Sequence, residues 1–467
     1  MRSRMSAPLI ALALVSGLLV PATIPTGQPA VAAARPVAEC RLESSWRQFN
    51  EGFAIDEAAA DATGTLTVQA VYADFPDQRG GGDGEFWLEH LHADAAQAIA
   101  NLETQSAGRL DVVIREPTTW VTLPHGTSAY PESGDAAWGN RVFHEFVTDA
   151  IAAAAPTIDF AGADVVWVFY PWVAPLAARA QADNFVPLTP DGEVFRAITM
   201  PKPGSDAVVA PVIVRETGHT FGFPDLYDAV AAGGGSPFLG SWDPMSDGWG
   251  DGAALESWEF MGWHLWRLGW IDDDQVTCVD PSTPIDVTLD ALTQRGGSVI
   301  AVVPAGEHRA LVIESRKAER YDAAIPRPGV LVTVVDSEVG TGEGPVRVAP
   351  RDGTAFPVTT EEFANATLLP GERYTDPGTG VTVTVLESTG GSDLVRIAGP
   401  DATPQPQGTS AAEPAAEPAD AVAILPPTGS EPRAAFLTAM VLVLAGGAAW
   451  SATRTRRALV TRRSGSD

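Results

Sequence analysis

Both ends of this chain read as segments that a folded core cannot use, and they confine the globular part to residues 64–399. At the N-terminus, Arg2 and Arg4 precede an apolar run, Ala7–Val20, and then small residues ending Ala32-Ala33-Ala34. That order reads as a secretory signal peptide over residues 1–34, cut before Arg35. The run of about 14 apolar residues is too short for a bilayer core, which needs about 20. At the other end, Leu425-Pro426-Pro427-Thr428-Gly429 precedes an apolar stretch from Ala434 to Thr453, followed by Arg454, Arg456, Arg457, Arg462 and Arg463. The stretch predicts a transmembrane helix, and the arginines would hold its end inside.

Together the pentapeptide, apolar stretch and basic tail, residues 425–467, resemble the LPxTG cell-wall sorting signal of Gram-positive bacteria. The resemblance implies a sortase as partner, cleavage between Thr428 and Gly429, and linkage to peptidoglycan through Thr428. It places the protein outside the cell, anchored to the cell wall, with a membrane-anchored stage before cleavage. Residues 400–424, rich in Pro, Ala and Glu, read as an extended linker.

The 59 acidic against 30 basic residues, a formal charge of −29, exclude nucleic acid as the main partner, because nothing supplies a phosphate-facing basic surface. The basic residues are 28 Arg and two Lys, Lys202 and Lys317. Cys40 and Cys278 are the two cysteines. Outside the cell they are expected to form one disulfide tying the N-terminal segment, residues 35–63, to the middle of the chain.

Patterning within 64–399 predicts an α+β unit and then a β-rich one. Strands are expected at Thr65–Ala73, Asp111–Ile114, Thr118–Leu123 and Asp164–Tyr170, and helices over Phe86–Gln105, Asn140–Ala155 and Pro211–Phe221. After about residue 275 helices stop, and short β-rich runs such as Ala310–Glu314, Gly329–Asp336 and Gly380–Leu386 alternate with Pro and Gly.

One stretch carries chemistry. Residues 215–225 read Arg-Glu-Thr-Gly-His-Thr-Phe-Gly-Phe-Pro-Asp. In H-E-x-x-H, two histidines one helical turn apart face a zinc ion, and the glutamate works on its bound water. An extended form adds a glycine turn and a third ligand. Glu216, His219, Gly222 and Asp225 stand at that spacing, but Arg215 occupies the first ligand position. Met245, in Ser241-Trp242-Asp243-Pro244-Met245-Ser246, stands like the Met-turn beneath such metals.

With these residues the chain resembles secreted metalloproteases of the immune inhibitor A type. Further matches are Asp74-Phe75-Pro76-Asp77, Ser106-Ala107-Gly108-Arg109-Leu110 with Trp120, and Pro224-Asp225-Leu226-Tyr227-Asp228. Leu268-Gly269-Trp270-Ile271, Ile313-Glu314-Ser315-Arg316 and Gly329–Asp336 complete them. The resemblance implies a metzincin-like zincin domain over 64–275 and a β-rich part over 276–399. It makes His219 and Asp225 metal ligands, Glu216 the general base and Met245 the Met-turn residue, and it brings calcium sites that cannot be placed on this sequence.

The departure at Arg215 decides between readings. A guanidinium has five donors and no lone pair, so it cannot ligate zinc. His90, His92, His125, His144, His264 and His308 offer no substitute spacing and read as ordinary surface or packing residues; Asp272–Asp274 and Glu361-Glu362 read as solvated loops. The favoured expectation is an impaired protease fold that binds an extracellular protein or peptide ligand, with no metal. Arg215 is expected to pair with Asp225, and also with Glu216, in the metal's place. The alternatives are an active zinc metalloendopeptidase with Glu216 as general base, or a structural spacer.

Overall fold

Apolar side chains on both faces of a strand call for cover on both sides, and the strand at Thr65–Ala73 is covered in this way. The computed structural model describes residues 35–402, apart from 48, 54, 56, 58, 81–83, 118, 131–135, 172–180, 184–195, 202–209, 229–237 and 247–258. Strand β1 (Gly64–Asp74) lies parallel to β2 (Leu110–Arg115) on one side and to β4 (Val165–Tyr170) on the other. The two-residue β3 (Val121–Thr122) runs beside the end of β1, shorter than the strand expected there. Beyond β4 come β6 (Arg196–Pro201), parallel, and β5 (Gln181–Asp183), antiparallel at the edge.

Parallel neighbours need crossovers, and two helices supply them. Helix α1 (Gly84–Gln105) connects β1 to β2, and α2 (Ala136–Ala154) connects β3 to β4. Leu66, Val68, Ala70 and Tyr72 of β1 join one core with Ala95, Ala98 and Leu102 of α1. Val71 and Ala73 join a second core with Phe146, Val147 and Ile151 of α2. β4 divides in the same way, Trp167 and Phe169 entering the first core and Val166, Val168 and Tyr170 the second. Strands buried on both faces read as continuous apolar runs, and β4 does.

Helix α3 (Ala210–Thr220) packs against α1, β5 and β6, and α4 (Gly262–Arg267) follows. The β-rich part holds two sheets among the described residues. One runs in the order β12 (Val346–Val348), β11 (Gly329–Asp336), β10 (Arg309–Arg316), β9 (Ile300–Pro304), β7 (Val276–Cys278). The other runs β13 (Arg373–Thr375), β14 (Thr382–Ser388), β15 (Ser392–Ala398), β8 (Ile285–Asp290). Leu311 and Ile313 of β10 face Val383, Val395 and Ile397 within a shared core, whereas Ala310 and Val312 join the first core. The five-stranded sheet therefore closes a sandwich on one face and supports the α/β layers on the other. The architecture is α+β, with several sheets and few helices.

Two sequence expectations are corrected here. Helices do not stop at about residue 275: α5 (Thr360–Ala364) carries Glu361 and Glu362, with Thr359 accepting from the Glu362 amide in a capping box. Among the described residues no helix is long and apolar enough to cross a membrane. The longest, α1 and α2, carry charged residues such as Asp94, Glu103, Glu145 and Asp149 along their length. The expected transmembrane helix, on which the membrane-anchored and wall-linked localisation rested, is therefore not found among the described helices. The signal peptide, Leu425–Gly429 with Thr428, and Ala434–Thr453 lie outside the described residues.

Cys40 and Cys278 are joined in a disulfide that closes a separation of 238 residues. In the chain-entropy account, a loop so long restricts the unfolded ensemble most. Cys40→Ser with Cys278→Ser is expected to lower unfolding stability by about 2–4 kcal/mol, read from the urea midpoint. An unchanged midpoint would show that the N-terminal segment is held by packing alone.

Candidate functional site

Helix α3 opens apolar, with Ile213 and Val214 in the first core, and turns polar at Arg215. Its polar residues stay inside: Arg215 and His219 are each 8% exposed and Glu216 1%. It ends because Gly222 adopts φ +90°, a left-handed conformation that suits glycine. The Gly222 amide donates to the His219 carbonyl and the Phe223 amide to that of Gly218, which makes a Schellman motif. That reversal carries Asp225 back to the helix face shared by Arg215 and His219, four residues apart.

The Arg215 guanidinium spans the space between them. One terminal nitrogen, Nη1, donates to Glu216 Oε1; the other, Nη2, donates to Asp225 Oδ1 and, at 3.2 Å, to the Tyr227 hydroxyl. The Tyr227 ring lies beside the guanidinium carbon, 5.2 Å away. His219 Nδ1 donates to the Phe223 carbonyl at 2.8 Å, which turns Nε2 to Asp225 Oδ1 at 3.1 Å. Asp225 thus serves two cations through one oxygen. Burial would lift its pKa, but Arg215 and then His219 outweigh burial and hold the carboxyl down at about 2. Burial pushes His219 down, while Asp225 more than offsets this and raises it above the ordinary histidine value. With Nδ1 committed as a donor, a proton on Nε2 makes the ring an imidazolium facing a carboxylate. Glu216 Oε2 is buried and has no hydrogen-bond partner among the described residues.

Two further supports fix this face. Met245 lies fully buried below the helix, its sulphur so near Gly218 that a Cβ there would sit 2.5 Å from it. From the β11–β12 connection, Thr341 Oγ1 accepts from the Asp225 amide at 2.8 Å, and the Gly342 amide donates to the Asp225 carbonyl at 2.9 Å.

The zinc expectation is corrected by this arrangement. Among the described residues no group of three or more His, Cys, Asp or Glu is placed to hold a metal ion, which stands against a zinc cofactor. The donor set does not fit a divalent cation. Arg215 brings a positive charge without a lone pair, and the Asp225 oxygen that would face a metal is taken by two N–H donors.

A second constellation was not legible in the sequence. His264 on α4, expected to be ordinary, is fully buried, with Nδ1 2.8 Å from Asp243 Oδ2 and Nε2 3.0 Å from Glu51 Oε1. Arg267 Nη1 donates to Glu51 Oε2 at 2.9 Å. Burial disfavours the His264 charge, but Asp243 and then Glu51 outweigh it and raise the pKa to about 9. The Phe223 ring stacks on His264, centroids 3.9 Å apart, and Phe223 is also the residue whose carbonyl holds His219. Asp243 accepts from the Met245 amide at 2.8 Å. One buried network therefore backs both the methionine and the histidine of the site.

No family model matches this chain, and no curated protein matches it. Among solved structures it is similar to OgpA from Akkermansia muciniphila, in two crystal forms. In one the identity is 11% and the TM-score 0.23, covering 63% of this chain and 95% of that one. In the other the identity is 12% and the TM-score 0.24, covering 74% and 98%. The likeness is weak and partial, and at such scores nothing about the activity of this chain follows from it.

Proposed function

We propose that this chain is a catalytically silent protein on a metzincin-like scaffold, acting by binding a protein or peptide ligand. The observation that carries the reading is the Arg215 guanidinium, bonded at once to Asp225 and Glu216. It stands at the helix position where the immune inhibitor A pattern has its first histidine, and it supplies fixed positive charge. A guanidinium cannot lower the pKa of a bound water as a metal does, so Glu216 has no activated nucleophile to serve. In support of ligand binding, β5 is the antiparallel end of its sheet among the described residues and packs beside α3. A strand edge can take an extended peptide through main-chain hydrogen bonds.

The purified protein is expected to contain no stoichiometric zinc by elemental analysis and to leave casein uncut. Zinc near one equivalent, with chelator-sensitive casein hydrolysis lost in Glu216→Ala, would overturn the reading.

A further inference from the structure

This chain uses arginine almost everywhere it needs a cation, 28 times against two lysines. One lysine, Lys317, stands directly after β10 and is only 6% exposed. A buried carboxylate is ordinarily better matched by the planar fork of arginine, which cannot act as an amine nucleophile. Lys317 faces Asp393 of β15, which is fully buried. Its Nζ lies 2.9 Å from Asp393 Oδ1 and 2.8 Å from Oδ2, so the nitrogen is shared between both carboxylate oxygens. Ser315 Oγ donates to Oδ2 at 2.6 Å. Ser388, directly across from Asp393 in the β14–β15 register, accepts from Nζ at 3.2 Å.

From this geometry we infer that Lys317 and Asp393 condense into an intramolecular amide linking the two sheets of the sandwich. Attack requires the neutral amine, so the step begins with one proton passing from Nζ to the carboxylate it touches. The amine is then a nucleophile held against its target, with the rate advantage of a fixed intramolecular pair. The Nζ–Cγ bond forms and the Cγ–Oδ1 bond breaks. Oδ1 leaves as water with two of the three ammonium protons, and the third stays on the amide nitrogen. The two charges cancel, so no oxidant, reductant or co-reactant is required. Ser315 stabilises Oδ2 while it carries negative charge in the tetrahedral intermediate. The Ser388 hydroxyl relays a proton from Nζ towards the departing oxygen. The product ties the end of β10 to β15 and replaces two buried ions by a neutral group.

The test uses the full chain, reduced, denatured and digested with trypsin. The peptides carrying Lys317 and Asp393 are expected as one branched species, lighter than their sum by one water, and Lys317 is expected to resist an amine-reactive label in the denatured protein. Ser315→Ala should lower the branched fraction. Lys317→Arg, which keeps the charge, should give linear peptides and so fix the assignment. Linear peptides from the wild-type chain with a labelled Lys317 would overturn the inference and leave an ordinary buried ion pair.

Discussion

Arg215→Met is expected to destabilise the protein by about 3–5 kcal/mol, the cost of breaking a buried ionic group by removing one partner. Methionine keeps most of the stem volume, so the loss reports charge and hydrogen bonds rather than a cavity. Without the guanidinium, Glu216, 1% exposed and with Oε2 already unpartnered, loses its bond at Oε1 as well. Asp225 loses its strongest cation and keeps His219 and the Tyr227 hydroxyl. Asp225 also gives the effect a pH signature. Its folded pKa of about 2 lies below the ordinary 3.8, so its contribution is present above 3.8 and is lost as pH falls towards 2. In Arg215→Met that pKa should rise and acid unfolding should begin at higher pH. Urea titrations of both proteins at neutral pH and at pH about 3 measure both effects. A difference below about 1 kcal/mol at neutral pH would mean that the carboxylates do not depend on Arg215, as for an exposed ion pair.

The arginine centre was legible because its parts lie close in sequence. The four-residue step from Arg215 to His219, the glycine that turns the chain and the aspartate three residues later fix a local geometry almost without tertiary context. The same holds for β1, β4 and α1, whose apolar patterns state their own burial. Glu51 and His264 are different. They are 213 residues apart, and neither belongs to a motif. A lone histidine on a short apolar helix gives no sign that two carboxylates from distant segments will close on it. Lys317 shows a third case: its rarity was visible in composition, but its partner Asp393, 76 residues away, became visible only in the pairing of β14 with β15. Residues at β5 carried no pattern of their own, since an antiparallel edge of three residues is placed by β6 rather than by local preference.

Raising the pH from about 6.5 to 9 is expected to lower stability on the order of 3 kcal/mol through His264. Its folded pKa of about 9 lies above the ordinary 6.5, so the contribution is complete below 6.5 and disappears as pH rises through 9. Asp243, Glu51 and Arg267 are the charged groups in this network, and Glu51 also answers Arg267. Glu51→Gln keeps the shape and a hydrogen-bonding oxygen but removes one of the two charges that hold the proton on His264. That variant should be less stable at pH about 6, where the loss exposes the Arg267 cation, and its stability should fall less between pH 6.5 and 9. His219, also raised, adds to the alkaline fall in both proteins, so the comparison isolates the His264 share. Because Phe223 stacks on His264 and fixes His219 through its carbonyl, alkaline loosening should also reach the arginine centre. In NMR titrations the ring protons of His219 would then respond as those of His264 shift near pH 9. Equal pH slopes in wild type and Glu51→Gln would show that Glu51 does not govern the proton on His264, and the coupling between the two histidines would fail with it.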